Sequence, residues 1–505
     1  MKIFMYDIAR EQSWRADYWK RILPDLRGLG YTDIALYVEQ RYHFRSVPRH
    51  RPLGEITPAQ AEEARRLCLK HGMQLHWFTN TLGHCDGLLA NEQFRYLAED
   101  PGELTQLCPT HADTRPLLKN MLAEFAANSR GPFLHVGGDE AWSLNECPRC
   151  KQRGLTRAEL YLDHYQWVVR ETKKLGKRPA MWGDMLLKHP DIVPEIDQDV
   201  LIFDWHYDSG SADTIQFFQK HGFEVIPSTG TNEYWYAFFP FDQTQNAIEP
   251  FMREAREFGC HGICQTAWEM TKGALLDNQW ERVAAATALF DGKPSRNFCK
   301  HFFGSARADQ TRLRPLLHED DIARLRPTFR GPHLRRAFFG TDSPYLFYHL
   351  HGPVDTREAW GKLGARLPRA RRIAGEIKRA ATKRKFYLEH IDLPIEAYEV
   401  MHDRIQTLAA IRAAVDRLYP HKLPNVQGTK LLRETARLLA RHVEKSEGLA
   451  DRFDSIAASR GGSVMDGLRL RRQAKGLKTL RGYIEYHART YAQGVPVPAH
   501  ELWYV

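Results

Sequence analysis

The strongest constraint in this chain is an alternation. Between residue 1 and about residue 290, eight short apolar stretches are separated by longer amphipathic ones. The short stretches are IFMYD (3–7), IALYVE (34–39), QLHWFT (74–79), FLHVG (133–137), PAMWG (179–183), VLIFDW (200–205), EVIPS (224–228) and GICQTA (262–267). The intervening segments include PAQAEEARRLCLKHG (58–72), RAELYLDHYQWVVRETKKLG (157–176) and AIEPFMREAREFG (247–259), which carry the apolar spacing of surface helices. Strands alternating with helices imply a parallel sheet covered by helices. Eight such units within this length predict an α/β fold, a (β/α)₈ TIM barrel. A doubly wound open sheet would use fewer strands and a Gly-rich phosphate loop after the first, and the sequence has no such loop there.

Beyond residue 300 the strand signals stop. Stretches such as PIEAYEVMHDRIQTLAAIRAAVDRLYP read as long amphipathic helices. The expected organisation is therefore a barrel over 1–300 and a mostly α-helical C-terminal domain over 301–505. Apolar helical faces of that size must be covered, either by the barrel or by a second subunit, and a homodimer fits the latter. The net charge of +10 is unevenly spread, with 37 Lys and Arg against 22 Asp and Glu in 301–505. Because the basic residues follow helical spacing, as in RRIAGEIKRAATKRK, they read as solvated helix faces, and no nucleic-acid partner is expected.

The first ten residues, MKIFMYDIAR, include an Asp and an Arg where a secretory leader would be apolar, and no later run approaches the ~20 apolar residues of a membrane span. A cytoplasmic protein with no membrane partner is expected. The 8 cysteines are too scattered for a disulfide framework. Cys147 and Cys150 form a CxxC pair, but tetrahedral zinc needs two more ligands and none stands at motif spacing. The pair reads as packed thiols, and neither a metal nor an organic cofactor is predicted.

In a (β/α)₈ barrel the chemistry sits at the C-terminal ends of the strands. Those ends are polar and aromatic here: Asp7 and Arg10, then Glu39, then Asn80, His84 and Asp86, then Asp139 and Glu140. Trp182 and Asp184, Asp204, Trp205 and His206, Tyr234, Trp235 and Tyr236, and finally Trp268 and Glu269 complete the ring. The sharpest element is FLHVGGDEAW. Consecutive strand residues point to opposite faces, so Asp139 and Glu140 share one site only if the backbone leaves strand geometry. Gly137 and Gly138 permit that departure. Two carboxylates brought together in this way suit acid-base chemistry.

His135, Gly137, Gly138, Asp139 and Glu140 match the His-x-Gly-Gly-Asp-Glu signature, and the chain on this basis resembles glycoside hydrolase family 20, the β-N-acetylhexosaminidases. Asp7-Ile8-Ala9-Arg10, Gly83-His84 and Pro109-Thr110 are similar to further family segments. The likeness covers about residues 1–290 and is greatest to the hexosaminidase D branch. It implies a retaining exo-hydrolase that removes terminal β-linked GlcNAc or GalNAc by substrate-assisted catalysis through an oxazolinium intermediate. Asp139 would orient the substrate acetamide and Glu140 would serve as acid and base. Arg10 would hold sugar hydroxyls, with His84 a site residue behind them. Trp182, Trp205 and Trp268 would wall the sugar, Tyr234 or Tyr236 would reach the acetamide oxygen, and Glu269 would bind hydroxyls. The implied partners are β-linked N-acetylhexosamine glycosides or oligosaccharides, without a cofactor. Two segments depart from the family pattern: Trp268 and Glu269 are adjacent where the family has Trp-x-Glu, and Tyr234-Trp235-Tyr236 stands in place of Tyr-Leu-Asp. These departures leave room for an altered hexosamine preference on the same fold, and a non-catalytic glycan-binding protein is the alternative of another class.

Overall fold

The computed structural model describes residues 1–9, 14–52, 54–129, 131–207, 210–231, 243–268, 275–293, 297–318, 357–418, 423–461 and 465–497. Among the described residues ten strands occur in chain order: β1 Lys2–Asp7, β2 Asp33–Tyr37, β3 Gln74–Phe78, β4 Ala98–Asp100, β5 Glu103–Leu107, β6 Phe133–His135, β7 Arg178–Trp182, β8 Leu201–Trp205, β9 Val225–Gly230 and β10 Ile263–Ala267. Eight of them close into a parallel barrel in the order β1-β10-β9-β8-β7-β6-β3-β2. The eight strands expected from the sequence are all present. Closure is made by β1, which pairs with β2 through Ile3↔Asp33 and with β10 through Lys2↔Ile263.

The barrel strands are buried on both faces because each face meets a different core. Ile3, Met5, Ala35, Tyr37, Phe78, Phe133, Ala180, Trp182, Leu201, Phe203, Ile226 and Cys264 fill the interior. Their neighbours Phe4, Ile34, Leu36, Trp77, Leu134, Met181 and Ile202 pack outward under the helices. The period-2 alternation of a strand thus produces two apolar layers, which is why these segments read as continuous apolar runs. Helices Pro58–Lys70 and Arg157–Lys174 each begin on a capping box, from Thr57 with Gln60 and from Thr156 with Glu159.

The sequence reading missed β4 and β5. They form a small antiparallel hairpin inserted after β3, in the loop that precedes helix Thr114–Asn128. Their 3 and 5 residues, AED and ELTQL, are too short and too polar to stand out as strands.

Beyond the barrel, helices Arg357–Ala380, Leu393–Leu418, Asn425–Arg460 and Asp466–Ala492 dominate the described chain. Leu408, Ile411 and Val415 join Leu432, Leu439 and Val443 and Leu477, Leu480 and Ile484 in a bundle core of their own. Ile373, Ile377, Tyr398, Met401, Phe453 and Ile456 instead belong to the same apolar cluster as the outer barrel layer, so the helices lie on the barrel. At that seam Tyr387 packs on Trp280 at 4.6 Å between ring centres and donates to Asp25 at 2.7 Å. Among the described residues no helix is long and apolar enough to cross a membrane.

A buried ion pair crosses the seam, and its Arg also pairs with Glu389 at 2.6 Å. Arg460, 4% exposed, lies 3.3 Å from the buried Asp277 and covers the Phe386 ring at 3.3 Å. Burial pushes the Asp277 carboxyl up to about 7, against the pull of Arg460 and of the Tyr18 hydroxyl that donates to it at 2.7 Å. Removing one partner of a buried pair strands the other's charge. Arg460→Met is expected to lower stability by about 3–5 kcal/mol in urea unfolding followed by circular dichroism. Adding Asp277→Asn should recover a large part of the loss; no recovery would show that the pair is not what holds the seam.

Candidate active site

The C-terminal rim of the barrel gathers the expected carboxylates through backbone strain. β6 ends at His135, and Gly137 and Gly138 then take φ of 82° and 110°, outside the range of ordinary side chains. Glu140 itself has φ 47°. Gly137 is also constrained by space, since a Cβ there would lie 3.0 Å from the Asn80 Cα and 3.1 Å from the Thr79 carbonyl oxygen. Tyr161 donates to the Gly138 carbonyl at 2.7 Å and fixes the turn from below. Glu39 (φ 47°) and His84 (φ 50°) at neighbouring strand ends are left-handed as well. Non-glycine residues rarely adopt this conformation, and such strained positions cluster at functional sites.

His84 ties the site together. Its Nε2 lies 3.1 Å from Glu140 Oε2 and 3.4 Å from Asp139 Oδ2. Burial alone would lower its pKa, but the Asp139 charge, the bonds to Asp139 and Glu140 and the nearby Glu39 raise it to about 11. The imidazole is therefore a cation between two carboxylates. Asp139 shows the complement: burial would raise its pKa, but His84 holds it below the usual carboxylate value. Asn80 also donates to Asp139, at 3.4 Å. Gly83, which leads into His84, passes so close that a Cβ there would sit 2.6 Å from the Asp139 carbonyl oxygen.

Asp184 supports the turn from β7. It accepts from the Glu140 backbone N–H at 3.0 Å and from Trp205 Nε1 at 3.3 Å. Burial, and then the charge of Asp139, raise its pKa to about 7. His135, stacked 4.2 Å from Phe78, is kept neutral by burial, with its pKa lowered to about 3.

The aromatic residues differ in what they face. Trp182 is 1% exposed and packs with His135 and Phe203 inside the barrel, with Trp268 above it at 6.0 Å. Trp205 and Trp268 are partly exposed. Tyr207, which the sequence reading did not single out, stacks on Trp205 at 5.2 Å and accepts from Trp268 Nε1 at 2.7 Å. Only its position two residues beyond β8 could have drawn notice. Trp142, also missed, is 48% exposed two residues after Glu140, with the Lys188 ammonium 3.9 Å above its ring. Its place inside the GGDEAW segment was a usable signal. Arg10, Tyr234, Tyr236 and Glu269 lie outside the described residues.

Two groups of side chains among the described residues have metal-ligating geometry. One, Glu39 with His84 and Asp86, adjoins the site, and a metal there would compete with the proton that Asp139 and Glu140 favour on His84. The other corrects the reading of Cys147 and Cys150 as an isolated thiol pair, because the fold brings Glu99 and Cys108 to them.

Residues 85–286 match the family model described as glycosyl hydrolase family 20, catalytic domain, a span that holds Asp139, Glu140, Asp184 and Trp205. Over those residues the barrel is similar to that family. No curated protein matches the chain. Solved structures with a similar fold include a β-N-acetylhexosaminidase from Bacteroides fragilis (19% identity, TM-score 0.45, covering 57% of this chain and 64% of that one). A family 20 β-N-acetylhexosaminidase from Streptomyces coelicolor has 18% identity, a TM-score of 0.45 and coverage of 57% and 63%. An exo-β-N-acetylglucosaminidase from Vibrio harveyi, solved with N-acetylglucosamine, has 17% identity, a TM-score of 0.45 and coverage of 57% and 54%. The chain thus spans less than two thirds of the length of each.

Because Trp205 reports directly on Asp184, the carboxyl's titration has an optical signature. The fluorescence difference between the parent and Asp184→Asn should titrate with a midpoint near 7. Since its folded pKa is raised from 3.8, this group's stabilising contribution is full below 3.8 and is lost as pH rises through about 7. The stability advantage of Asp184→Asn should therefore grow over that window. A flat difference signal between pH 5 and 9 would refute the assignment.

Proposed function

We propose that the barrel is an exo-acting retaining glycosidase that releases terminal β-linked N-acetylhexosamines. The observation that supports this best is the Asp139–Glu140 turn bridged by a cationic His84. The two carboxylates have unequal surroundings: the Asp139 side chain is 12% exposed and the Glu140 side chain 41%. A proton donor must reach a glycosidic oxygen that leads away from the site, which suits Glu140. A group that stabilises positive charge in the sugar should be anionic and sheltered, which suits Asp139.

In the reaction, the oxygen of the substrate's 2-acetamido group attacks the anomeric carbon as the glycosidic C–O bond breaks. Glu140, in its carboxylic acid form in the substrate complex, gives its proton to the leaving oxygen. Asp139 accepts a hydrogen bond from the acetamide N–H and stabilises the oxazolinium ion. Glu140, now a carboxylate, takes a proton from water as that water adds to the anomeric carbon and restores the acetamide. Two displacements retain the configuration, with the substrate supplying the nucleophile that other retaining glycosidases carry as a second carboxylate. Trp205, Trp268 and Tyr207 would enclose the sugar, and Trp142 offers an exposed ring to the leaving group. Arg10, Tyr234, Tyr236 and Glu269 keep the hydroxyl-binding and acetamide-binding roles that the family likeness gives them.

With chromogenic β-GlcNAc and β-GalNAc glycosides, Glu140→Gln and Asp139→Asn should each lower kcat by roughly 10²–10⁴-fold. Unchanged turnover in either variant, or faster turnover of the unacetylated glucosaminide by the parent, would refute the scheme. A second expectation concerns pH. His84 is the largest influence holding Asp139 below its usual pKa while burial pushes it up, so His84→Asn removes most of the opposition to burial. The acid limb of kcat/KM should move to higher pH, and an unmoved limb would remove His84 from that role.

A further inference from the structure

The second ligating group lies away from the Asp139–Glu140 turn and is fully enclosed. Glu99 on β4, Cys108 just past β5, and Cys147 and Cys150 around helix Pro148–Gln152 place one carboxylate oxygen and three sulfurs within 4.8 Å of one another. Cys108, Cys150 and Glu99 are 0% exposed and Cys147 is 6% exposed. Cys108 Sγ lies 3.5 Å from Cys147 Sγ and 3.7 Å from Cys150 Sγ, and Cys150 Sγ lies 3.1 Å from Glu99 Oε2. Tetrahedral zinc with bonds of about 2.3 Å to sulfur spaces its sulfurs by roughly 3.8 Å, close to these separations and far from the ~2.0 Å of a disulfide.

We infer that Glu99, Cys108, Cys147 and Cys150 form a structural zinc site. Four features besides the distances support it. A fully buried carboxylate normally has a cationic partner, and among the described residues Glu99 makes no ion pair with a Lys or Arg. Its other oxygen, Oε1, accepts from the backbone N–H groups of Glu146 and Cys147 at 2.8 and 3.1 Å, which aims Oε2 at the sulfurs. The Cys150 backbone N–H points at Cys147 Sγ at 3.3 Å, and the Thr110 hydroxyl lies 3.4 and 3.2 Å from Cys108 Sγ and Cys150 Sγ, contacts that stabilise thiolates. Three thiolates with one carboxylate, closed to solvent, match the ligand type and number of structural zinc. On binding, three Zn–S bonds and one Zn–O bond form, and the thiol protons pass to water.

The site's place in the fold gives it a task. The β4–β5 hairpin is bonded to the loop that carries His84, through Cys85 N to the Thr105 carbonyl at 2.8 Å and Leu107 N to the Leu82 carbonyl at 2.9 Å. It is bonded as well to the loop that carries Asp139 and Glu140, through Ser143 N to Gln106 Oε1 at 3.1 Å and Ser143 Oγ to Glu103 Oε2 at 2.9 Å. Zinc would clasp the second loop, by Cys147 and Cys150, to the hairpin, by Glu99 and Cys108. It thereby holds two active-site loops in register.

The test is the metal content of the full-length protein, expressed in zinc-supplemented medium, purified under reducing conditions and measured by plasma mass spectrometry. About one zinc per chain is expected in the parent and in Cys68→Ser, whose thiol is buried on another helix. Cys108→Ser and Cys150→Ser should each retain little or none. Replacing zinc with cobalt(II) should give the thiolate-to-metal absorption of a tetrahedral site. A parent without stoichiometric zinc, retention of zinc in the Cys108→Ser/Cys150→Ser double variant, or a Cys147–Cys150 disulfide in the freshly reduced protein would each overturn the inference. These readouts do not depend on the enzymatic reading above.

Discussion

The pairing of β1 with both β2 and β10 is the constraint on which the rest depends. Without it the eight strands would be an open sheet with two exposed edges; with it every barrel strand has two neighbours and no edge remains. Closure also fixes direction. All eight strands run the same way, so their C-terminal ends meet on one rim, and residues as distant in sequence as Glu39, His84, Asp139, Asp184, Trp205 and Trp268 become neighbours.

At that rim the protein uses backbone strain and charge together. Glu39, His84 and Glu140 are three of the non-glycine residues with positive φ, and all three stand just beyond barrel strands. Each such conformation costs on the order of 1–3 kcal/mol. The cost is offset by the packed barrel beneath, where His135, Phe78, Trp182 and Phe203 leave the chain no looser arrangement. The electrostatic logic is similar. Asp139 stays ionised in a buried place because His84 is cationic, and His84 stays cationic because Asp139 and Glu140 face it. Neither state would persist alone, and neither is a property of a single residue. The same dependence appears at a distance in Arg460 and Asp277, where burial and charge are balanced across the seam between barrel and helices.

Much of this was legible in the chain. Strand positions followed from short apolar runs because parallel strands buried on both faces must be apolar on both faces. The turn at Asp139 and Glu140 was visible because it follows a buried strand and because polar and aromatic residues stand at the other strand ends. Trp142 was overlooked although it adjoins the turn. The β4–β5 hairpin was illegible because it is short, half polar, and stabilised by loops on either side of it.

Sequence alone therefore determined the number and order of barrel strands and the turn that carries Asp139 and Glu140, because these depend on local apolar periodicity and local backbone freedom. Only the tertiary structure decided that His84 bridges the two carboxylates, that Asp184 accepts from the Glu140 backbone, that Tyr207 joins Trp205 and Trp268, and that Glu99 and Cys108 join Cys147 and Cys150. Those groupings arise from contacts between segments 39 to 56 residues apart or brought together by barrel closure, and no local periodicity encodes which distant side chains will share a space.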